Sequence, residues 1–495
     1  MNTLRILRID FHIIHTRTRF PFHYGIASMN EVPHLFLRAE LEIDGQPAIG
    51  ISADGLPPKW FTKVAEDTPE EELSGILESI THAARTAEII ATQDSLFDFW
   101  KELYHQQIEW AHQNDIAPLL AQFGVSLIER AMIDAFCRAK DTTFAQALAQ
   151  NRFGIRLDQL HPELDSRSPA DYLPAPNSQA ATLITRHTIG LSDPIRASDI
   201  SEAARADDGL PQALEDCIQT YWVNWFKIKL CGDLQTDLER MAALAELFAQ
   251  QVPTYHFTLD GNEQFKTIEA FHAYWDQCLA DPRLDDFFSP AHLLFVEQPL
   301  HRDQALADHV AADLTSWSES PPLIIDESDS SLQSCARALK LGYAGTSHKN
   351  CKGIFKSIAN ACLLKHRAQH DPTAALPILS GEDLVNIGPV ALLQDLTVMH
   401  ALGIKHVERN GHHYMRGLSA FPQEVQAQTL QDHADLYQTD QENIPCVHIK
   451  GGKVNIQSLL DAPFGTAFRI DQVMPDWTWL SVNEIKVSHL LNGSV

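Results

Sequence analysis

The sequence predicts an α/β protein built on a modified (β/α)8 TIM barrel, with an α+β domain ahead of it. Three observations carry that expectation. Beyond residue 180, eight short apolar segments alternate with stretches of helical periodicity. The first 150 residues run from strand-like alternation into helices, as an antiparallel sheet backed by helices would. An open doubly wound sheet would want a glycine-rich phosphate turn after its first strand, and no GxGxxG or Walker pattern occurs.

Residues 1–60 read as a β-meander. The segment from Leu35 to Ile43 alternates apolar and polar positions, Asp44-Gly45 is a hairpin signal, and Ile49-Gly50-Ile51 returns. From about residue 69 to 151 the pattern is helical, with Leu127, Ala131, Ile133, Asp134 and Phe136 in one helix. The eight barrel strands are expected at 183–190, 225–230, 255–260, 293–297, 323–326, 344–349, 377–380 and 405–408. Between the second and third, Leu234, Leu238, Met241, Leu244 and Leu247 repeat at helical spacing behind Asp233, a capping residue. Segments 160–180, 199–212 and 279–291 read as insertions on the rim. The domain boundaries are therefore 1–150, 180–420 and a tail of 421–495 that packs back on the first domain.

Composition bounds the function. With 65 acidic against 38 basic residues the formal net charge is −27, which repels polyanions, so nucleic acid is not an expected partner. No run of eighteen apolar residues is present, and the charged N-terminus reads as a strand rather than a signal peptide, so no membrane partner is expected either. Eight cysteines stand singly with no CxxC pair, which predicts reduced thiols in a cytoplasmic protein.

Reactive groups in a parallel barrel gather at the C-terminal ends of its strands. Here the second strand ends in Lys227-Ile228-Lys229, the third in Asp260-Gly261-Asn262 and the fourth in Glu297-Gln298-Pro299. The fifth ends in Asp326-Glu327-Ser328 and the sixth in Ser347-His348-Lys349. Three successive strands thus end in a carboxylate, a charge that a barrel interior normally excludes. Convergent carboxylates need a cation among them, and three oxygen ligands suit Mg²⁺, with Mn²⁺ the alternative ion. Such an ion stabilises the enolate formed when the carbon beside a bound carboxylate loses its proton. Lys227 and Lys229 leave the same face of one strand about 7 Å apart, and their mutual repulsion is expected to lower the pKa of at least one. Lys349 enters from the far side, as inversion at a stereocentre requires.

The set KIK, DGN, EQP, DES and SHKNCKG, in this order on consecutive strand ends, resembles the muconate-lactonising and mandelate racemase branch of the enolase superfamily. The resemblance implies that Asp260, Glu297 and Asp326 bind Mg²⁺, that Lys229 and Lys349 are the acid/base pair, and that Lys227 binds the substrate carboxylate. It also implies that residues 1–150 form a capping domain whose loops at 20–29 and 52–61 select the substrate, making Phe22, His23, Tyr24 and Trp60 specificity candidates. Two features depart from the pattern. The glycine pair expected after the strand-six lysines is Gly353-Ile354, and the strand-seven end Ser380-Gly381-Glu382-Asp383 matches no family motif, though Glu382 is a supporting candidate.

Several residues have competing readings. Glu327 either pairs with a strand-two lysine or caps the next segment, and Asn262 either orients Asp260 or only forms a turn. Lys352 reads as a solvent lysine at a helix start, exchanging roles with Lys349 if the strand-six alignment slips by one turn. His348 reads as a packed histidine, and the adjacent His412-His413 as solvated or substrate-facing rather than metal ligands. The expected activity is Mg²⁺-dependent proton abstraction next to a small-molecule carboxylate, with racemisation or epimerisation favoured in a homo-oligomeric enzyme. Cycloisomerisation or acid-sugar dehydration shares the first step. A metal-free Schiff-base aldolase and a non-catalytic relative are the rivals.

Overall fold

A computed structural model describes residues 3–371 and 377–491. The first domain opens with an antiparallel meander of β1 (Leu4–Tyr24), β2 (Ala27–Ile43) and β3 (Gln46–Gly55). Asp44 and Gly45 both take positive φ, 52° and 73°, the conformation a two-residue hairpin requires. Segment 20–29, expected as a loop, is instead the tip of the β1–β2 hairpin, where pairing resumes at Phe22↔Met29 after a bulge.

Four helices follow: α1 (Pro69–Ile89), α2 (Leu96–Gln113), α3 (Pro118–Ala139) and α4 (Phe144–Ala149). Thr68 caps α1 in a reciprocal box with Glu71. Helix α3 is buried along nearly its whole length between the sheet and the barrel. It lies so close to β3 that a Cβ on Gly50 would stand 1.9 Å from the Ala131 carbonyl oxygen, so only glycine fits there.

The barrel comprises β4 (Thr182–Ile189), β5 (Trp225–Lys229), β6 (His256–Asp260), β7 (Leu293–Glu297), β8 (Leu323–Ile325), β9 (Gly345–His348), β10 (Ile378–Gly381) and β11 (His406–Arg409). All neighbours pair in parallel, and β11 pairs with β4 to close the ring. The eight strands predicted from sequence are these eight, displaced by at most a residue or two at their ends. Intervening helices include α5 (Leu214–Tyr221), α6 (Leu234–Gln251), α7 (Ile268–Ala280), α8 (Arg302–Ala305), α9 (Val310–Ser316), α10 (Ser334–Leu341), α11 (Ile354–His370) and α12 (Leu393–Ala401). Asp233 caps α6 by accepting from the Thr236 N–H.

The tail touches both domains. Lys453–Asn455 pairs antiparallel with the start of β4, while Leu480–Ser481 pairs with β1. All eight cysteines are free thiols. No helix among the described residues is long and apolar enough to cross a membrane.

Candidate active site

Strand alternation decides which charges enter the barrel. Arg186 and Thr188 of β4, Lys227 and Lys229 of β5, Thr258 and Asp260 of β6 and Glu297 of β7 form one inward network with Ser380, Glu382 and Glu408, while Ser347 of β9 meets Asp326. At its floor, fully buried Arg186 pairs with Glu382, donates to Thr258 Oγ1 at 2.9 Å and Ser380 Oγ at 3.0 Å, and lies over the Phe295 ring. Above it, Lys227 Nζ lies within 3.0 Å of four carboxylates: Asp260 at 2.9 Å, Glu297 at 2.7 Å, Glu382 at 2.6 Å and Glu408 at 3.0 Å. At the mouth, Lys229 donates to Asp260 at 2.6 Å and Lys349 to Asp326 at 2.5 Å.

Turns at the strand ends hold these groups in place. Asp260 Oδ1 accepts the Asn262 N–H at 2.9 Å, and Asn262 and Glu263 both adopt positive φ. A Cβ on Gly261 would stand 2.6 Å from Pro299 Cα, so the DGN and EQP turns interlock through that glycine. The Gln298 amide oxygen accepts the N–H groups of Asp326 and Ser328 at 2.7 and 3.2 Å, and its nitrogen donates to Ser328 Oγ at 2.8 Å. One amide thus ties the fourth strand end to the fifth.

The structure corrects the electrostatic expectation for Lys227. Burial opposes its charge, but the carboxylates of Asp260, Glu297, Glu382 and Glu408 together outweigh it and hold the ammonium well above the usual lysine range. Opposite charges, not the neighbouring amine, dominate. Lys349 is raised likewise, burial being outweighed by Asp326. Asp326 falls well below the carboxylate range, because Lys349 and Lys352 overcome its burial. Glu297 goes the other way: burial, then the charges of Asp260 and Glu382, push it well above.

Lys352 is not a solvent lysine. After β9 the chain tightens into a turn at Asn350–Lys352, which swings Lys352 back onto the Asp326 side chain, 2.7 Å from Oδ1, and onto Ser347 Oγ at 2.7 Å. It therefore shares Asp326 with Lys349. Glu327 takes neither expected role: it is buried, pairs with no strand-two lysine, and its Oε2 has no hydrogen-bond partner. Burial and then the Asp326 and Glu263 charges push its carboxyl up to about 7. His348 is packed outside the barrel wall, 2.8 Å from Ser357 Oγ.

The capping side closes over the mouth. Trp60 is buried with its ring 4.6 Å from Lys349 Nζ, and Tyr24 donates to the Pro58 carbonyl at 2.8 Å. Lys63 donates to the Asn262 carbonyl, and Arg302 holds Glu263 and the Trp60 and Phe61 carbonyls. His23 is not drawn in; its ring nitrogen meets Ser192 Oγ at 2.6 Å on the rim, while Phe22 stacks on Tyr414. Lys229 and Lys349 keep only 7% and 3% of their surface exposed.

Sequence reasoning missed Arg186 and gave Glu408 no role inside the barrel. The signal was present, since both sit on the inward parity of their strands, but parity identifies a face only once barrel closure says which side is inside.

The fit to a divalent ion can be tested on the polar atoms left over. Among the described residues neither oxygen of Glu297 has a hydrogen-bond partner, because the approach of Lys227 is ionic without hydrogen-bond geometry. Asn262 Oδ1 and Glu327 Oε2 are also buried without partners. Lys227 Nζ stands among these carboxylates as a cation would, and Asp260 and Glu297 are register partners on adjacent strands. The donor set is hard oxygen, which suits Mg²⁺ or Mn²⁺. In this lysine-paired state the oxygens of Asp260, Glu297 and Asp326 do not gather within 4.8 Å of one another; among the described residues only His187, Cys217 and His413 do so. Lys229 of β5 engages Asp260, while Lys349 and Lys352 beyond β9 engage Asp326.

No protein-family model matches the chain, and no curated protein matches it by sequence. Solved structures do. A mandelate racemase/muconate lactonizing protein from Herpetosiphon aurantiacus superposes with a TM-score of 0.58 at 15% identity, covering 93% of this chain and 98% of its own. The fold is that of the mandelate racemase and muconate-lactonizing proteins. An enolase from Bradyrhizobium, in complex with magnesium and mandelic acid, gives 0.54 at 15% identity over 96% and 98% of the two chains. The L-Ala-D/L-Glu epimerase of Bacillus subtilis gives 0.53 at 14% over 90% and 97%.

Proposed function

We propose that this protein is a divalent-cation-dependent enzyme that removes the proton next to a substrate carboxylate through an enolate, with racemisation or epimerisation as the outcome. The observation that carries this reading is the placement of two amines. Lys229 ends β5 and Lys349 follows β9, four strands apart in a ring of eight and therefore on opposite walls. Each amine sits on its own carboxylate, Asp260 or Asp326, and Glu297 stands at the mouth with both oxygens unsatisfied. A substrate carbon held between the walls would meet an amine on either face. A bound epimerase and a mandelic acid complex among the structural neighbours favour the same chemistry.

Asp260, Glu297 and Asp326 would hold the ion, Mg²⁺ or Mn²⁺, which supplies charge stabilisation for the enolate. The lysines do the proton work. In the structure both are ion-paired, and a base must be neutral, so each needs its carboxylate drawn away before it can accept a proton. Lys227, among four carboxylates, stays charged and is the fixed cation that faces the substrate carboxylate. Lys352 holds Asp326, the carboxylate that Lys349 also engages. Trp60 and the loop at 57–63 seal the mouth against water, so substrate enters when that loop lifts.

The test is α-proton exchange in D₂O over a panel of amino acids, dipeptides and acid sugars with Mg²⁺, read by mass spectrometry. Deuterium in both stereoisomers of a substrate, lost on chelation, is the expected result. Product formation with exchange confined to one stereoisomer would move the assignment to cycloisomerisation or dehydration. Chelator-resistant activity with borohydride trapping on Lys349 would replace it by a Schiff-base aldolase. A panel with no exchange at all would count against the proposal.

A further inference from the structure

Outside the barrel wall lies a cluster that the proposed chemistry does not use. We propose that His187, Cys217 and His413 form a second metal site, on the outer face of the barrel wall and selective for a zinc-class ion. The ligand atoms of these three side chains all lie within 4.8 Å of one another, and all three residues are buried. Cys217 Sγ is 3.6 Å from His413 Nδ1.

The fold brings them together from three distant segments. Arg186 and Thr188 point into the barrel, so His187 between them points outward, toward α5. Cys217 lies on the buried face of that helix. His413 comes from the one-turn helix Gly411–Tyr414 after β11, the strand that pairs with β4 at Arg409↔His187. His413 is thus not solvated, contrary to the sequence expectation, because barrel closure folds its turn against α5, while His412 keeps partial exposure.

The surroundings are those of a ligand shell. A metal-binding histidine is usually backed by a carboxylate on its other nitrogen. His413 Nε2 is 3.7 Å from Asp193 Oδ2, and that carboxylate is itself fixed by the Gly190 N–H at 2.7 Å and the Tyr414 hydroxyl at 2.5 Å. His412 offers a further donor beside the group: its Nε2 lies 3.0 Å from His187 Nδ1, and its Nδ1 has no partner among the described residues. Arg19, the cation that bears on Cys217 and His413, is neutralised by Asp208 and grips the His413 carbonyl at 2.7 Å. Burial keeps both His187 and His413 neutral, the form that binds metal, and raises the Cys217 thiol. Binding therefore exchanges the thiol proton for the ion: the S–H bond breaks, the sulfur–metal bond forms, and the proton leaves to solvent.

Two imidazoles and a thiolate select zinc over magnesium, whereas the barrel mouth offers oxygen alone. The two sites would therefore sort ions by donor softness. The ion would pin α5 to the first and last barrel strands beside the hairpin tip that carries Arg19 and Phe20. This inference stands independently of the reaction at the mouth.

The experiment uses the full-length protein in excess Mg²⁺ with Co²⁺ as a spectroscopic probe and Zn²⁺ as competitor. One equivalent of Co²⁺ should survive desalting, show thiolate-to-cobalt charge-transfer absorption, and be displaced by Zn²⁺. Cys217→Ser should lose that absorption, while Asp326→Asn at the mouth should retain it. If Cys217→Ser does not fold, X-ray absorption at the zinc edge of the wild-type protein decides. One sulfur at about 2.3 Å with nitrogens near ~2.0 Å supports the site, and a shell without sulfur overturns it. Absence of the charge-transfer band in the wild type, or its survival in Cys217→Ser, also overturns the proposal. In that case the cluster is only a thiol hydrogen-bonded to a histidine.

Discussion

Buried charge is used in two different ways on either side of the segment that carries Lys349. At the joint between the first domain and the barrel, Glu129 of α3 accepts the N–H groups of Ile354 and Phe355 at 2.8 and 2.6 Å, where the start of α11 is electropositive. Its neighbour Arg130 donates to Asp54 at 2.7 Å, to the Ala53 carbonyl at 2.8 Å and to the Ser126 carbonyl at 3.1 Å. Backbone groups, which cannot leave, supply most of those partners. A few residues away, at the barrel mouth, Glu297 has no hydrogen bond among the described residues, and although Asp260 keeps the Asn262 N–H and Asp326 the Ser347 hydroxyl, the charges of both are met by lysine side chains, which can rotate away. Burying an ion without fixed partners costs several kcal/mol. A fold that satisfies Glu129 and leaves Glu297 wanting is built at the second place for something to bind.

If the mouth is catalytic, its lysines should dominate any ranking of effects. Lys229→Met and Lys349→Met should each lower α-proton exchange by about 10²–10⁴-fold, the range of a lost general acid or base. Each should do so chiefly for one stereoisomer, because the amines lie on opposite walls. Near-native exchange in both variants would show that the ion pairs at the mouth are merely structural, like those at the joint.

The joint should instead respond in stability. Burial pushes the Glu129 carboxyl from 4.5 up to about 7, although the two backbone N–H groups oppose the shift. A raised carboxyl in the folded state binds a proton that the unfolded chain has already released. Its stabilising contribution is therefore complete below pH 4.5 and is lost as pH rises through 7, a change of ~3 kcal/mol. Glu129→Gln cannot titrate, so the stability difference between variant and parent should change by about that amount across the window, measured by urea unfolding. A pH-independent difference would mean that the backbone N–H groups keep Glu129 ionised throughout.

Much of this contrast was legible in the sequence, for a physical reason. Strand ends are where a barrel exposes its inner face, so the order KIK, DGN, EQP, DES and SHK already named Lys229, Asp260, Glu297, Asp326 and Lys349. The eight strands followed from their spacing. What stayed hidden depended on closure or on turn geometry. Arg186 and Glu408 became interior only once β11 paired with β4, and the same pairing buried His413 against Cys217. Lys352 entered the site because Asn350–Lys352 curls after β9 rather than running straight into a helix. Glu129 was unremarkable as sequence, one of two acids on an apolar helix, because its partners lie over two hundred residues away.

Cation addition should separate the two regions further. Saturating Mg²⁺, at a hundred times its dissociation constant, should stabilise the protein by about 2.7 kcal/mol through binding alone. Asp326→Asn should abolish that increment, whereas Glu129→Gln should leave it intact. An increment equal in all three proteins would place the ion elsewhere.

The smallest effect should come from the roof of the mouth, and it sharpens the contrast between its two walls. Lys349 Nζ lies 4.6 Å from the Trp60 ring centroid, while Lys229 has no aromatic face of this kind among the described residues. The negative face of an indole favours an ammonium over a neutral amine, by ~1 kcal/mol in a partly desolvated setting. When Lys349 accepts a proton it becomes that ammonium, so Trp60 stabilises the product of the transfer. Trp60→Leu keeps apolar bulk over the site but removes the quadrupole. Exchange at the Lys349 face should slow about five-fold, with the Lys229 face unchanged and Trp60→Phe intermediate. Equal slowing at both faces would mean that Trp60 serves only as a wall, excluding water from the two amines alike.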